Sequence, residues 1–281
     1  MPQAISIHLG LNAVDPRSYR GWAGPLRACE NDARAMSALA DARGFRPQLL
    51  LGEDATRTNL VATMDRAVGE LAKGDLLLLT YSGHGASVPD RDGDEPDGRD
   101  EAWCLRDGLL LDDEIHEQLC KLAAGVRVLV VSDSCFSGSV IRDLQTVRAT
   151  GPAVRAPLRE ARAAVPDRRA PAAHIRAVLR AHAAEYAERK AAAVAATQGT
   201  EPRAGIILLA ACEDRQPAYD GDVHGRFTGA LLAIWDGGAF AGSHDELHAA
   251  IRVRLEGVQS PTLFLSGAVD PAFRAGRPFT P

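Results

Sequence analysis

Residues 75–85 read DLLLLTYSGHG and residues 126–139 read VRVLVVSDSCFSGS. Each is an apolar run that ends in small, turn-forming residues around one reactive side chain, His84 in the first and Cys135 in the second. A continuous apolar run of this length has no solvent face. It reads as a strand buried on both sides, the habit of parallel sheets covered by helices. The same strand code appears at residues 4–9, 48–51, 205–211 and 262–265. Between them, Ala35, Met36 and Leu39 recur at helical spacing, and Leu60, Met64, Val68 and Leu71 fall on one helix face, with Thr56 or Thr58 as N-cap. Further helices are predicted at about 113–122, 171–196, 226–235 and 245–255. The order βαβαβαβ, an insertion, then βααβ predicts an α/β domain with a roughly six-stranded, mostly parallel sheet flanked by helices.

Composition narrows the classes. A chain of 281 residues, 46% hydrophobic and 25% charged, can bury a real core, which argues against global disorder. No stretch approaches the roughly 20 apolar residues of a membrane span, and MPQAISIHLGLNAV carries no basic region ahead of an apolar block. The expectation is a cytoplasmic protein made without export, with no membrane partner. Five cysteines, an odd count without CxxC spacing, are expected to be reduced thiols (Cys29, Cys104, Cys120, Cys135 and Cys212).

The net charge of −5 is local. Residues 90–101 hold seven carboxylates and two arginines, which account for the whole imbalance. Residues 142–203 hold twelve Arg or Lys against six Asp or Glu, in an Ala- and Pro-rich context whose single aromatic is Tyr186. That stretch reads as a basic insertion or linker within a single domain spanning 1–281, and nucleic acid is not an expected partner.

In open parallel sheets the functional crevice lies at the carboxyl ends of the strands, where both His84 and Cys135 fall. A thiol becomes a nucleophile when an imidazole takes its proton and backbone N–H groups await the oxyanion. Either residue alone is more often a packed core residue. Together, 51 residues apart and each at a strand end, they form a candidate dyad.

YSGHG followed by SDSCFSGS resembles the metacaspase and orthocaspase branch of the caspase-like cysteine peptidases. LRACENDARAMSALADARGF at 26–45, DGRDE at 97–101, LDDE at 111–114, AACEDRQ at 210–216 and the segment 259–266 are similar to other parts of that family. The resemblance implies a caspase-like fold, Cys135 as nucleophile and His84 as its proton partner. It also implies an oxyanion hole from the N–H groups of Gly85 and Cys135, and a pocket lined by Cys29, Asp32, Ser82 and Asp133. Two carboxylates in a pocket ask for a cation, so cleavage after Arg or Lys is expected. Phe136 and Ser134 depart from the family's common pattern, at positions that do not supply the core chemistry. A non-catalytic caspase-like interaction module and a hydrolase of small amides are the alternatives. A monomer is favoured, and self-cleavage within 142–203 is expected, with Arg168 and Arg169 as accessible basic targets.

The acidic stretch DRDGDEPDGRDE is not an EF-hand, because Glu95 stands where glycine is required in one register and Pro96 breaks the other. The resemblance implies calcium activation instead, through Asp100, Asp112, Asp113 and Asp143; no organic cofactor is expected. Zinc is disfavoured, since His84, Cys104, His116 and Cys120 lack zinc-finger spacing.

Overall fold

The computed structural model describes residues 2–89, 99–135, 145–146, 166–197, 200–213 and 216–281. Among the described residues, seven strands form the main sheet: β1 (Ala4–Gly10), β2 (Arg46–Leu51), β3 (Leu76–Ser82), β7 (Arg127–Asp133), the two-residue β8 (Gln145–Thr146), β9 (Gly205–Ala210) and β10 (Thr262–Gly267). A second sheet contains β4 (Gly85–Pro89), β5 (Arg99–Leu105) and β6 (Gly108–Leu111). The helices are α1 (Cys29–Ala42), α2 (Arg57–Glu70), α3 (Asp112–Cys120), α4 (Ala172–Ala181), α5 (Ala183–Thr197), α6 (Arg226–Trp235), α7 (His244–Arg254) and α8 (Pro271–Ala275).

The main sheet has the order β2-β1-β3-β7-β9-β10-β8, parallel from β2 to β9 and antiparallel at β10 and β8. This is the six-stranded, mostly parallel α/β sheet expected, with β8 added at the edge. Alternate residues of β3 and β7 point to opposite faces. Leu77, Leu79, Val128 and Val130 meet Leu60 and Met64 of α2 and Ile115 and Leu119 of α3. Leu76, Leu78, Leu129 and Val131 meet Met36 and Leu39 of α1, Phe227 and Leu231 of α6 and Ile251 of α7. Both faces are therefore filled, which is why these strands carry no polar alternation. Thr56 caps α2, its hydroxyl accepting from Asn59 N–H.

Two features depart from the sequence reading. The β4-β5-β6 sheet lies where the sequence reading placed no strand. Arg99–Leu105 (RDEAWCL) opens with three charged residues, so its strand character is invisible to a hydrophobic count, yet Asp100 and Glu101 are buried in the fold. The single Ala-rich helix expected at 171–196 is two helices, broken where His182 leaves helical geometry. Both pack on the small sheet, where Ile175, Val178 and Tyr186 join Val88, Cys104 and Leu109 in a third core. Among the described residues, no helix is long and apolar enough to cross a membrane.

Candidate active site

Strand register brings the dyad together. In the β3–β7 pair Ser82 stands opposite Asp133, so His84 and Cys135 each lie two residues beyond the same rung. Backbone contact follows: a Cβ added to Gly85 would collide with the carbonyl of Cys135, so only glycine permits this approach. Both Cys135 and His84 are buried.

His84 Nε2 lies 2.9 Å from the Gly24 carbonyl oxygen. A carbonyl can only accept, so Nε2 carries the hydrogen and Nδ1 holds the lone pair of the neutral ring. Gly24 sits at φ +53°, and Trp22 packs on the imidazole with ring centroids 4.7 Å apart. Burial pushes the His84 pKa below its usual value, with the Gly24 and Arg168 backbone opposing in part. The ring is thus neutral at physiological pH and available as a base. The Cys135 sulfur accepts a hydrogen bond from Ala218 N–H at 3.0 Å.

Beside the dyad, four residues of the expected pocket converge, and one of the protein's own arginines fills it. The Arg168 side chain is 0% exposed. Its Nη2 donates to Asp32 Oδ2 at 2.8 Å and to Asp220 Oδ1 at 3.0 Å. Its Nη1 donates to Ser82 Oγ and to the Asp133 carbonyl, both at 2.8 Å, and lies 2.9 Å from Asp133 Oδ1. Ser82 Oγ donates onward to Asp32 Oδ2, and Thr228 donates both its N–H and its hydroxyl to Asp133 Oδ2. Burial raises the Asp133 pKa, Asp32 pushes it the same way, and Arg168 opposes both. Burial also pushes the neighbouring Cys29 thiol up to about 12, so it stays neutral.

The Arg168 backbone lies like a strand between two walls. Gly85 N–H donates to the Arg168 carbonyl oxygen at 2.9 Å, and Ala170 N–H donates back to Gly85 O at 2.9 Å. On the other side Arg168 N–H donates to Ala218 O, and Asp220 N–H to Pro166 O, each at 2.9 Å. Ala218 O is also 3.7 Å from the Cys135 sulfur, so the thiol lies beside the Arg168 main chain. The expectation that Arg168 is an accessible target is corrected here. Three carboxylates take its guanidinium out of water, while Arg169 remains exposed.

Asp220 is the pocket residue that sequence reasoning missed. It also accepts from Arg27 N–H and Ala28 N–H just before α1. No spacing rule links residue 220 to residues 32 and 133; only the fold closes that triangle. His224, whose Nδ1 is 3.0 Å from Asp32 Oδ1, and Thr228 were missed for the same reason.

Asp100, Asp112 and Asp113, all buried, each bring an oxygen within 4.8 Å of the others. Asp100 comes from β5, and the other two from the first turn of α3. Burial raises the Asp112 pKa, and Asp113, Asp100 and Glu101 add to the effect. Asp143, the fourth expected ligand, lies outside the described residues.

A model of the metacaspase peptidase C14 domain matches residues 16–144. Metacaspase-1A of Neurospora crassa is 36% identical over 155 residues, which is 50% of this chain and 34% of that protein. Metacaspase-1 of Cryptococcus neoformans is 30% identical over 237 residues, 76% of this chain and 52% of that protein. The chain thus spans about a third to a half of the length of these curated relatives. Among solved structures, protein GSU0716 of Geobacter sulfurreducens is 42% identical, with a TM-score of 0.81 and 99% of both chains covered. Caspase-1 of Spodoptera frugiperda is 10% identical with a TM-score of 0.55, covering 95% of this chain and 87% of that one, a likeness of fold.

Proposed function

Because the chain belongs to the metacaspase and caspase-like peptidases, we propose that it is a cysteine endopeptidase that hydrolyses peptide bonds after arginine or lysine. The observation that carries this reading is the seat of Arg168: its guanidinium lies among Asp32, Asp133 and Asp220 while its carbonyl oxygen rests on Gly85 N–H. A substrate arginine in that place would have its carbonyl polarised by the donor that must later hold the oxyanion. His84 Nδ1 takes the Cys135 proton, sulfur attacks the carbonyl carbon, and the negative charge develops on the oxygen facing Gly85 N–H. The imidazolium then protonates the departing amine, and water, deprotonated by the same imidazole, hydrolyses the thioester.

The same seat supports self-processing at the Arg168–Arg169 bond, with residues 166–170 acting as the first substrate. Calcium is proposed as the activator. Asp100, Asp112 and Asp113 supply the hard anionic oxygens it prefers, and three clustered buried carboxylates gain from neutralisation. Bound there, calcium would supply charge compensation.

Intact-mass analysis with and without calcium, in the parent chain and in Cys135→Ala, tests the reading. The expected result is calcium-dependent appearance of fragments 1–168 and 169–281 in the parent alone, together with hydrolysis of peptides carrying arginine before the scissile bond. Hydrolysis after aspartate instead, or fragments from Cys135→Ala, would refute it.

A further inference from the structure

The segment that carries Arg168 reaches the acidic triad as well. Lys190 of α5 places Nζ 2.7 Å from Asp100 Oδ2 and 3.5 Å from Asp113 Oδ2, its side chain only 11% exposed. The preceding residue fixes the helix there. Arg189 Nη2 lies 2.6 Å from Glu114 Oε2 and donates to Leu109 O at 2.7 Å, while the Tyr186 hydroxyl accepts from Leu109 N–H at 2.9 Å. The described part of the basic insertion is thus held by cations in three anionic seats, Arg168 in the pocket, Arg189 at Glu114 and Lys190 at the triad.

An ammonium group among carboxylates has the chemistry of a resident cation: a positive charge on the same oxygens that a hard metal ion would require. The triad oxygens lie within 4.8 Å of one another, too close to host an ammonium and a divalent ion together without strong repulsion. A cavity of about 640 Å³ is lined among others by Val88, Asp100, Leu111, Tyr186 and Lys190, so both a triad carboxylate and the ammonium border open space.

We propose that Lys190 is a tethered competitor for the divalent cation at Asp100, Asp112 and Asp113. The helix α5 is docked while the ammonium holds the site, and metal binding ejects Lys190 and loosens α5. Because α5 continues the chain from Arg168 through α4, the same event weakens the hold on the pocket segment. The inference rests on the calcium reading above, and it adds that metal affinity is set by a residue that binds no metal.

The test is calcium titration by calorimetry on the full chain carrying Cys135→Ala, which cannot cut itself, together with hydrogen exchange of residues 183–197. Lys190→Gln in this background is expected to bind calcium about tenfold more tightly, within the ordinary range of coupling between two mutually exclusive events. Lys190→Arg keeps the competing charge and should stay near the parent. So should Arg180→Gln, which removes an exposed cation of α4 without touching the triad and so controls for general electrostatics. In the parent, calcium should speed exchange along 183–197. Unchanged or weaker affinity in Lys190→Gln, or exchange in 183–197 that calcium leaves unchanged or slows, overturns the competition while leaving a calcium site intact. Failure of parent and variants alike to bind millimolar calcium refutes the calcium reading and this inference with it.

Discussion

Replacing Arg168 by alanine should uncover the pocket. In the folded chain its guanidinium is 0% exposed and meets Asp32, Asp133 and Asp220 at 2.8, 2.9 and 3.0 Å. Removing one partner from a buried ionic cluster typically costs about 3–5 kcal/mol, because the opposing charges stay buried and unpaired. Here the cost falls on docking of the 166–170 segment, since its departure lets water reach the three carboxylates. At about 1.4 kcal/mol per decade, the docked population relative to the open one should fall by roughly 10² to 4 × 10³. A docked segment competes with added substrate as an intramolecular ligand at high effective concentration. The apparent affinity for an arginine peptide should therefore improve by at least about tenfold, up to the same limit of roughly 10² to 4 × 10³. Fluorescence polarisation of a labelled arginine peptide would measure this in Cys135→Ala and in Cys135→Ala with Arg168→Ala. Arg168→Lys should fall between them, because an ammonium cannot supply the donors that Nη1 and Nη2 share among four residues. Equal affinities in all three would refute the reasoning that Arg168 occupies the substrate's place.

Three further outcomes are expected. Cys135→Ala and His84→Ala should each abolish peptide turnover with an unchanged circular dichroism spectrum, since either change leaves only binding and the oxyanion donor; residual turnover in a clean Cys135→Ala preparation would remove it as nucleophile. Asp133→Ala and Asp220→Asn should lower kcat/KM on arginine peptides, the former by about 2–5 kcal/mol as for truncating a buried charge pair; unchanged kcat/KM in Asp220→Asn would take the third carboxylate out of recognition. Stability should fall as pH drops below about 6.5, where unfolded histidine takes up protons that His8, pushed down to about 3, and His244, pushed down to about 4, refuse in the folded chain. Each contributes a loss of about 2 kcal/mol at pH 5, none above pH 7, and His8→Gln should flatten the slope of unfolding free energy against pH.

The parallel sheet was legible because β3, β7 and β9 are apolar on both faces and β1 on one, a pattern fixed by burial and therefore written residue by residue. The dyad was legible for a related reason. His84 and Cys135 follow two such strands directly, and parallel register leaves little freedom in where strand ends lie. The sequence also supplied Asp32 and Asp133 as pocket residues, through family motifs. What only the tertiary structure decided lies where chain connectivity is long. Asp220 completes the pocket from 188 positions beyond Asp32, and Arg168 and Lys190, read in the sequence as members of a basic linker, are each brought to a carboxylate cluster assembled from distant elements. Charged side chains carry no periodic signature, because their partners are set by Coulomb attraction across the fold and not by a strand or helix repeat. A local reading could count the excess of arginine and lysine but could not say which acids each would meet.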